Sequence, residues 1–402
     1  MLTPATAAAA IAAGLPRAAT TELPLASCAG HTLRQEIVAE RDAPPFDRVA
    51  MDGIAILAAA VADGRREFRI AGTQGAGALP LRLPSPGDCI EIMTGASLPA
   101  GCDAVIPVER IRVADGIARL EDGYAVAAWQ NVHRRGSDAR AGGRLLGPGA
   151  LLRGPEIAIA ASAGLTALCV DRRPRIAVIS TGDELVPPGQ PIQDHQLRRS
   201  NPQGLAAALA LAGFAPQTDR HLPDRRDELL GVLGELLDHH EVLVLSGGVS
   251  AGRYDFVPGV LGDLGVERVF HKIAQRPGGP MWFGVRPGGA AVFALPGNPV
   301  SVLVCLGRYV LPALRAASGA PAPPPRRVAL AEPCEVRPAL AFFLPVVLEY
   351  DGSGRTLARP RPTRGSGDFV SLGGTDGFVE LPPGPAVHPA GLGVTFYHWQ
   401  DG

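Results

Sequence analysis

Three uninterrupted apolar runs constrain the fold more than any other feature of this sequence. They cover residues 176–179, 242–245 and 291–295, and each ends in small polar, glycine or proline residues. A strand buried on both faces has this pattern, whereas a strand with one wet face alternates apolar and polar residues. We therefore predict that the three runs are neighbouring strands of one sheet covered by helices on both faces.

Helix signals separate the first two runs. Ser200 or Asn201 is the predicted N-cap of one helix, and Pro202 occupies its first turn. Asp224 is the predicted cap of a second helix, whose leucines between residues 229 and 237 share one face. A chain order of strand, helices, strand, helix and strand predicts a doubly wound, mostly parallel sheet.

The proline-rich segment 319–325 marks the clearest domain boundary, because a proline run continues neither a helix nor a central strand. We divide the chain into an N-terminal region 1–172 with a β-rich insertion at about 47–137, an α/β domain 173–318 and a small C-terminal β domain 319–402. Prolines inside the apolar runs of the last domain predict that some of them are edge strands.

Charge and composition argue against several partners and locations. The 38 Lys and Arg residues nearly balance the 39 Asp and Glu residues, so no global field attracts nucleic acid or an anionic membrane. The six cysteines form no Cys-x-x-Cys pair, and we interpret them as core residues in a reducing compartment. No Lys or Arg precedes the alanine run 7–13, and no charge-free apolar run reaches the length of a membrane span. We expect a cytoplasmic protein.

The residues that follow the three runs predict a binding site, because ligands of parallel sheets bind beyond the carboxyl ends of the strands. These ends are Ser180, Thr181, Gly182, Asp183 and Glu184 after the first run, residues 246–252 after the second, and residues 296–301 after the third. Glycine amides and the amino end of a helix capped by Asn298 and opened by Pro299 favour an anion. Together the ends predict a site for a phosphorylated or otherwise anionic small molecule.

Two further features suit an anion accompanied by a metal ion. Lys272 is the only lysine of the chain, and a flexible ammonium binds phosphate as a point charge, whereas arginine uses a planar fork. Asp183, Glu184 and Asp255 carry the oxygen ligands that Mg²⁺ takes, and carboxylates that converge beside a phosphate need a cation to offset repulsion. Helix capping and solvated turns are the alternative roles for these three carboxylates.

Six short segments occur in order along the chain, at residues 45–53, 92–96, 134–138, 180–184, 246–252 and 296–301. Through these segments the chain resembles the molybdopterin molybdenumtransferase family, which includes MoeA and the gephyrin E domain. The resemblance extends from about residue 23 to the C-terminal β domain. The resemblance implies insertion of molybdate into adenylylated molybdopterin, with Mg²⁺-dependent release of AMP. It also implies an elongated homodimer whose cleft lies between the α/β domain of one protomer and the β-rich region of the other.

The resemblance implies a role for each residue of this chain that matches a family motif. The implied catalytic residues are Asp52, Asp138, Glu184, Asp255 and Lys272. Together with the strand ends, the predicted substrate-binding set is Thr94, Ser180, Thr181, Gly182, Asp224, Ser246, Gly247, Gly248, Ser250, Gly252, Arg276, Pro296, Gly297, Asn298, Pro299, Ser301 and Ser366. The predicted metal ligands are Asp183, Glu184 and Asp255.

The chain departs from the family pattern at four positions. Arg48 and Val49 stand where the family usually has Asn-Ser, and Arg276 and Gly279 stand where it often has lysines. Arg276 keeps the charge with a different geometry, whereas Gly279 loses it, so affinity or substrate could differ.

Two other functions stay open at this stage. The central domain alone also resembles molybdopterin adenylyltransferase, although such enzymes lack the flanking β domains. A non-catalytic protein of the same fold could store or deliver the cofactor. The sequence does not distinguish molybdate from tungstate as the inserted anion.

Overall fold

The structure is a computed structural model and describes residues 1–249 and 255–399. Its helices are Pro4–Gly14, Ala58–Ala62, Gly154–Ser162, Asn201–Leu211, Arg226–His239, Val257–Asp263 and the consecutive helical segments Pro299–Cys305, Leu306–Val310 and Leu311–Ala317. Most of these helices surround one central sheet, which carries the candidate site.

The three predicted strands lie side by side in a six-stranded sheet. Across the sheet the order is Thr218–Leu222, Ile176–Thr181, Val242–Ser246, Ala291–Leu295, Trp282–Val285 and Glu267–His271. Neighbours among the first four strands are parallel, whereas Trp282–Val285 is antiparallel to both of its neighbours. Residues 272–281 and 286–290, which join Trp282–Val285 to Glu267–His271 and to Ala291–Leu295, contain no helix, so the chain reverses its direction there without a crossover. The predicted mostly parallel sheet is confirmed.

Helices cover both faces of this sheet, as a doubly wound fold requires. Alternate side chains of the Ile176–Thr181 strand enter two different cores, one containing Leu205 and Val302, the other Leu229 and Val260. This alternation follows from the two-residue period of a strand. It also explains why the run is apolar without interruption.

The alanine-rich helix Pro4–Gly14 packs on the same sheet. Ala7 and Ile11 are buried in one of its two cores. A Cβ atom on Gly14 would lie 3.2 Å from a ring carbon of Phe283, so the small residues of this helix permit close packing. The first residues of the predicted N-terminal region therefore contribute to the core of the α/β domain.

The helical segment Pro299–Ala317 is the one helix in the described ranges that is long and apolar enough to cross a membrane. In this structure 67% of its apolar window is buried inside the protein, and Val302 and Leu306 belong to the central core. A core helix of a globular domain has the same length and composition.

The six cysteines are free, and all except Cys169 are buried. Burial raises the pKa of Cys89 and of Cys102 to about 12, so both thiols stay protonated at neutral pH. For all except Cys169, the interpretation as core residues is confirmed.

The N-terminal region consists largely of short strands, as predicted. Its inserted sheet has the order Ala104–Pro107, Gly53–Ile56, Asp88–Ile92, Glu67–Gln74, Ile117–Leu120 and Ile111–Ala114. Smaller pairs join Thr20–Pro24 to Ala167–Asp171, Ile37–Val38 to Arg144–Leu146, and Arg48–Val49 to Val132–His133. The β-rich character of the insertion is confirmed, and its limits at about 47 and 137 stay a prediction.

The C-terminal domain is a closed ring of strands. The strands Arg326–Leu330, Ala341–Tyr350, Thr356–Pro360, Gly377–Leu381 and Gly393–His398 pair in a circle. The short strands Cys334–Val336 and Ala386–His388 form a separate pair. Ring closure makes the edge-strand prediction wrong for the strand that contains Pro345. The strand pairs with Gly377–Leu381 as far as Val346 and with Thr356–Pro360 from Val346 onward. Pro345 lies just before the second pairing begins, so its missing N–H is tolerated there.

A two-residue strand connects this ring to the α/β domain. Gln275–Arg276 pairs with Ala341 and Phe342 at the start of the longest strand of the ring. Residues 338–340 precede that strand. They therefore lie near the strand ends of the central sheet, as does the loop around Ser366.

Candidate active site

The predicted strand ends meet in one cleft with a volume of about 940 Å³. The predicted residues that line it are Thr181, Gly182, Glu184, Asp224, Ser246, Gly247, Gly248, Asp255, Arg276, Pro296, Gly297, Asn298, Pro299, Ser301 and Ser366. The cleft lies where the parallel strands end, as the topology predicts. Ser250 and Gly252 lie outside the described residues.

Glycine is required at the second strand end. Gly247 and Gly248 have φ angles of +100° and +69°, a region that residues with a Cβ rarely adopt. A Cβ on Gly247 would lie 2.8 Å from the carbonyl oxygen of Thr181, and one on Gly248 would lie 2.7 Å from a methyl carbon of Val257. The two glycines therefore let the strand end approach its neighbour and present bare backbone to the cleft.

Three carboxylates line the cleft, Glu184, Asp224 and Asp255, and Asp183 lies beside them. The backbone N–H of Asp224 donates to Asp183 Oδ1 over 3.3 Å. Burial raises the pKa of Asp224, and the negative charges of Asp183, Glu184 and Asp255 raise it further. Asp183 itself is exposed and does not line the cleft.

Asp224 is not a helix cap, contrary to the prediction. The following helix is Arg226–His239, and Arg225 occupies its N-cap position. Asp224 instead lines the cleft, half-buried, beside the end of the first strand. Its place in the turn before the helix directs the carboxylate toward the other acids and away from the helix amides.

The carboxylates do not form a complete metal cage. Within residues 1–249 and 255–399, no three His, Cys, Asp or Glu side chains are grouped closely enough to hold a metal ion. Mg²⁺ is commonly bound through one or two carboxylates, several waters and substrate phosphates. The donor set around Glu184, Asp224 and Asp255 suits that mode of binding and does not suit a metal held by protein ligands alone.

The third strand end contacts the C-terminal domain. Asn298 occupies the N-cap position of the helix that Pro299 opens, as predicted, but its side chain makes no capping hydrogen bond. Asn298 Nδ2 instead donates to Ser366 Oγ over 2.8 Å, and the N–H of Val300 donates to the carbonyl of Ser366 over 3.1 Å. One backbone N–H at the start of this helix, which was predicted to be free to bind an anion, is therefore hydrogen-bonded to the C-terminal domain.

Ser180 does not reach the cleft, although its hydroxyl was predicted to bind substrate. The side chain is fully buried, whereas Thr181, the last residue of the strand, lines the cleft. Ser180 Oγ accepts a hydrogen bond from Arg199 Nε over 2.7 Å and lies 3.1 Å from His221 Nδ1. It therefore lies beneath the cleft and outside its lining.

Sequence reasoning missed the segment that precedes the first predicted helix. Arg198, Arg199, Ser200 and Asn201 all line the cleft. Arg199 is almost buried and forms an ion pair with Asp219. Two consecutive arginines before the predicted N-cap could have indicated this part of the cleft. The sequence pattern at residues 200–202 predicts only the start of a helix.

Four predicted residues lie away from the cleft of the single chain: Lys272, Asp52, Thr94 and Asp138. Lys272 is exposed with a φ of +75°, and its N–H donates to the carbonyl of Met281. Asp52 Oδ1 accepts from the hydroxyl and the N–H of Thr94 over 2.7 and 2.6 Å, which lowers the pKa of Asp52. Asp138 accepts from Ser137 Oγ over 3.0 Å.

Two of the departures from the family pattern lie in or beside this cleft. Arg276 and Gly279 both line it. A Cβ on Gly279 would lie 3.0 Å from the carbonyl oxygen of Gln275, so a longer side chain would require the neighbouring backbone to move. Arg48 and Val49 form a short strand in the N-terminal region, away from the cleft.

Models of known protein families match three consecutive parts of the chain. Residues 2–164 match the MoeA N-terminal region (domain I and II), residues 177–316 match a probable molybdopterin binding domain, and residues 327–399 match the MoeA C-terminal region (domain IV).

Individual relatives extend along most of the chain. A molybdopterin molybdenumtransferase from Synechocystis sp. is 40% identical over 371 residues, which cover 92% of this chain and 93% of that protein. Molybdopterin molybdenumtransferase 2 from Mycobacterium tuberculosis is 35% identical over 312 residues, covering 75% and 76%. The crystal structure of a molybdopterin biosynthesis MoeA protein from Pyrococcus horikosii is 29% identical, has a TM-score of 0.80 and covers 99% of both chains.

Proposed function

Because this chain belongs to the MoeA family of molybdopterin molybdenumtransferases, we propose that its cleft inserts molybdate into adenylylated molybdopterin and releases AMP. Family membership makes the protein a transferase of molybdenum cofactor biosynthesis. The proposed reaction rests on one observation. A single cleft joins the anion-binding strand ends and Arg276 to the acidic group of Glu184, Asp224 and Asp255.

The two ends of this cleft suit two different parts of the reactants. Backbone amides beside Gly247 and Gly297, together with the guanidinium of Arg276, suit the oxygens of molybdate and of a phosphate. The carboxylates suit a hard cation and the hydroxyl donors of a ribose. Cleavage of a phosphoanhydride requires positioning and charge neutralisation more than covalent assistance, so no nucleophilic Cys or Ser is needed.

The acidic group fits Mg²⁺. The raised pKa of Asp224 reflects repulsion from Asp183, Glu184 and Asp255 in addition to burial, and a divalent cation would relieve that repulsion. Glu184 and Asp255 would hold the ion, with Asp183 beside them. When bound, Mg²⁺ would neutralise charge on the pyrophosphate that links the pterin and adenosine parts of the substrate.

A second copy of the chain would complete the site. Asp52, Thr94, Asp138 and Lys272 are all exposed in the single chain, so they are accessible to a partner. We propose a homodimer in which Asp52, Thr94 and Asp138 of one protomer face the cleft of the other. The free, buried cysteines are consistent with the reducing cytoplasm as its location, and we propose no nucleic-acid or membrane partner.

Product analysis tests the reaction. Purified protein is incubated with adenylylated molybdopterin and Mg²⁺, with or without molybdate, and AMP is quantified by chromatography. We expect molybdate-dependent AMP release, reduced at least about tenfold by Asp255→Asn and unchanged by the exposed control Asp122→Asn. Adenylate formation from ATP and molybdopterin without use of molybdate would identify an adenylyltransferase instead. Binding without AMP release would indicate a non-catalytic protein.

Mixing variants tests the shared site. Asp52→Ala and Glu184→Ala are each expected to remove activity. If the cleft is shared between protomers, mixed dimers contain one intact site, and activity returns to roughly a quarter of the wild-type value. No recovery after verified subunit exchange would show that Asp52 does not act across a dimer interface.

A further inference from the structure

A second cavity opens beside the cleft, on the C-terminal domain. Its volume is about 470 Å³, within the range of pockets that hold small organic ligands. Arg276, Pro277 and Ser366 line both this cavity and the cleft. The two spaces are therefore adjacent at these three residues, and a ligand that passes Arg276 and Ser366 would reach from one into the other.

Prolines and apolar side chains form much of the wall of the second cavity, which Arg276, Arg337 and Arg364 also line. These prolines and apolar side chains include Pro277, Pro333, Pro338, Pro345, Pro360 and Pro362, together with Val336, Phe342, Phe343, Leu344 and Leu381. Proline has a fixed φ angle and no N–H, so these walls offer flat apolar surface with few backbone donors. Such walls suit a planar ring system better than a flexible or highly charged group.

The polar groups of the cavity select among planar rings. Glu332 and Glu335 are exposed at its wall. Glu335 pairs with Arg337 over 3.0 Å, and Glu332 pairs with Arg359 over 3.3 Å, which leaves each carboxylate with lone pairs to accept further hydrogen bonds. Two adjacent N–H donors on one ring edge are the natural partner of a carboxylate.

A 2-amino-4-oxopyrimidine edge has this donor pair, in its ring N–H and its exocyclic amino group. Adenine instead presents one donor next to one acceptor, which suits an amide better than a carboxylate. The orientation of the substrate in the cleft agrees with this choice. The acidic group of Glu184, Asp224 and Asp255 would repel the anionic dithiolene, so the pterin end would extend past Arg276.

We propose that the proline-walled cavity of the C-terminal domain holds the pterin ring of the substrate, with Glu335 or Glu332 bound to its 2-amino-4-oxopyrimidine edge. This assignment rests on the proposed function and names the place of one half of its substrate. It makes the C-terminal domain a substrate-binding part of the enzyme.

Fluorescence titration with free pterin and, separately, with AMP tests this proposal. Thr363→Trp places a large side chain in the cavity from a half-buried loop position, and Glu335→Gln removes a carboxylate without changing the shape. We expect Thr363→Trp to weaken pterin binding at least about tenfold, equivalent to about 1.4 kcal/mol, and to leave AMP binding unchanged. Glu335→Gln is expected to weaken pterin binding several-fold in the same direction.

Glu121→Gln is the matched control, because Glu121 also forms an exposed ion pair, 2.7 Å from Arg110, but lies in the inserted sheet region. Unchanged pterin binding in both cavity variants would overturn the proposal, as would a wild-type protein that binds no pterin at millimolar concentration. Loss of AMP binding with retained pterin binding would assign the cavity to adenosine and also overturn it. Failure of the proposed function would appear differently, as absent AMP release by wild-type protein that still binds pterin in this cavity.

Discussion

Arg199 Nε donates a hydrogen bond to Ser180 Oγ over 2.7 Å at the end of the Ile176–Thr181 strand. The Ser180 hydroxyl has one proton, and His221 Nδ1 lies 3.1 Å from its oxygen. Since Arg199 can only donate, the Ser180 hydroxyl accepts from it, and the hydroxyl keeps its proton and one lone pair for further hydrogen bonds. The arrangement places the His221 imidazole and the Arg199 guanidinium on the same hydroxyl, directly beneath the cleft.

The first prediction concerns the charge of His221. Burial lowers the pKa of His221, and the Arg199 guanidinium lowers it further. We expect an NMR titration midpoint below the ordinary value of about 6.5, and we expect Arg199→Gln to raise it. Arg220→Gln is the control, because Arg220 is an exposed neighbour. An unchanged midpoint in Arg199→Gln would contradict the arrangement.

The same shift predicts how stability depends on pH. Because the folded pKa of His221 lies below the unfolded one, the unfolded state binds more protons between the two values. The contribution of His221 to stability is complete above about pH 6.5 and is lost as pH falls through the folded pKa. Chemical unfolding at several pH values should show that the unfolding free energy falls less with decreasing pH in His221→Gln than in wild type.

The second prediction concerns the strand end at Gly247. In Gly247→Ala the new Cβ would lie 2.8 Å from a backbone oxygen of Thr181, at a φ of +100°. We expect a loss of about 1–3 kcal/mol of unfolding free energy and weaker AMP binding, measured by denaturant unfolding and calorimetry. Gly259→Ala is the control, because that helical position is open and alanine should stabilise it by up to about 1 kcal/mol. Equal stability of the two variants would show that the Gly247 turn is not constrained.

The third prediction concerns the contact between domains at Asn298 and Ser366. Their side chains hydrogen-bond over 2.8 Å at the cleft wall. A double-mutant cycle with Asn298→Ala and Ser366→Ala should give a coupling of about 0.5–1.5 kcal/mol in unfolding free energy. Ser353→Ala, in a turn of the C-terminal domain bound to Asp351, should show no coupling to Asn298→Ala. Additive effects at 298 and 366 would mean that the contact is not maintained in solution.

Features set by local pattern could be predicted from the sequence. The runs that begin at Ile176, Val242 and Ala291 are buried on both faces, so their composition alone identified parallel central strands. Gly247 and Gly297 followed such strands, and topology then placed them together in one cleft. The three-part division of the chain at residues 172/173 and 318/319 stays a prediction.

Features set by tertiary contacts could not be predicted in the same way. The burial of Ser180 depends on its contacts with Arg199 and His221, which come from other parts of the chain, and a pattern buried on both faces carries no such information. Asp224 resembled a helix cap because capping residues and cleft acids are the same residue types. Pro345 indicated an edge strand, but closure of the ring depends on pairings far apart in sequence.

The last prediction concerns the acidic end of the cleft. Burial and the neighbouring carboxylates raise the pKa of Asp224, so its contribution to stability is present below the unfolded pKa and is lost as pH rises through the folded pKa. At neutral pH the folded protein therefore retains unrelieved repulsion, which Mg²⁺ should reduce. We expect Mg²⁺ to raise the melting temperature of wild-type protein relative to EDTA at pH 7, by linkage of binding to folding.

Substitution of one acid separates this effect from a general salt effect. Asp224→Asn removes one repelling charge, so this variant should melt higher than wild type in EDTA and gain less from Mg²⁺. Asp122→Asn, an exposed position in the inserted region, should respond to Mg²⁺ as wild type does. An equal gain from Mg²⁺ in all three proteins would place the cation elsewhere, and a gain from K⁺ at matched ionic strength would show screening rather than a bound divalent ion.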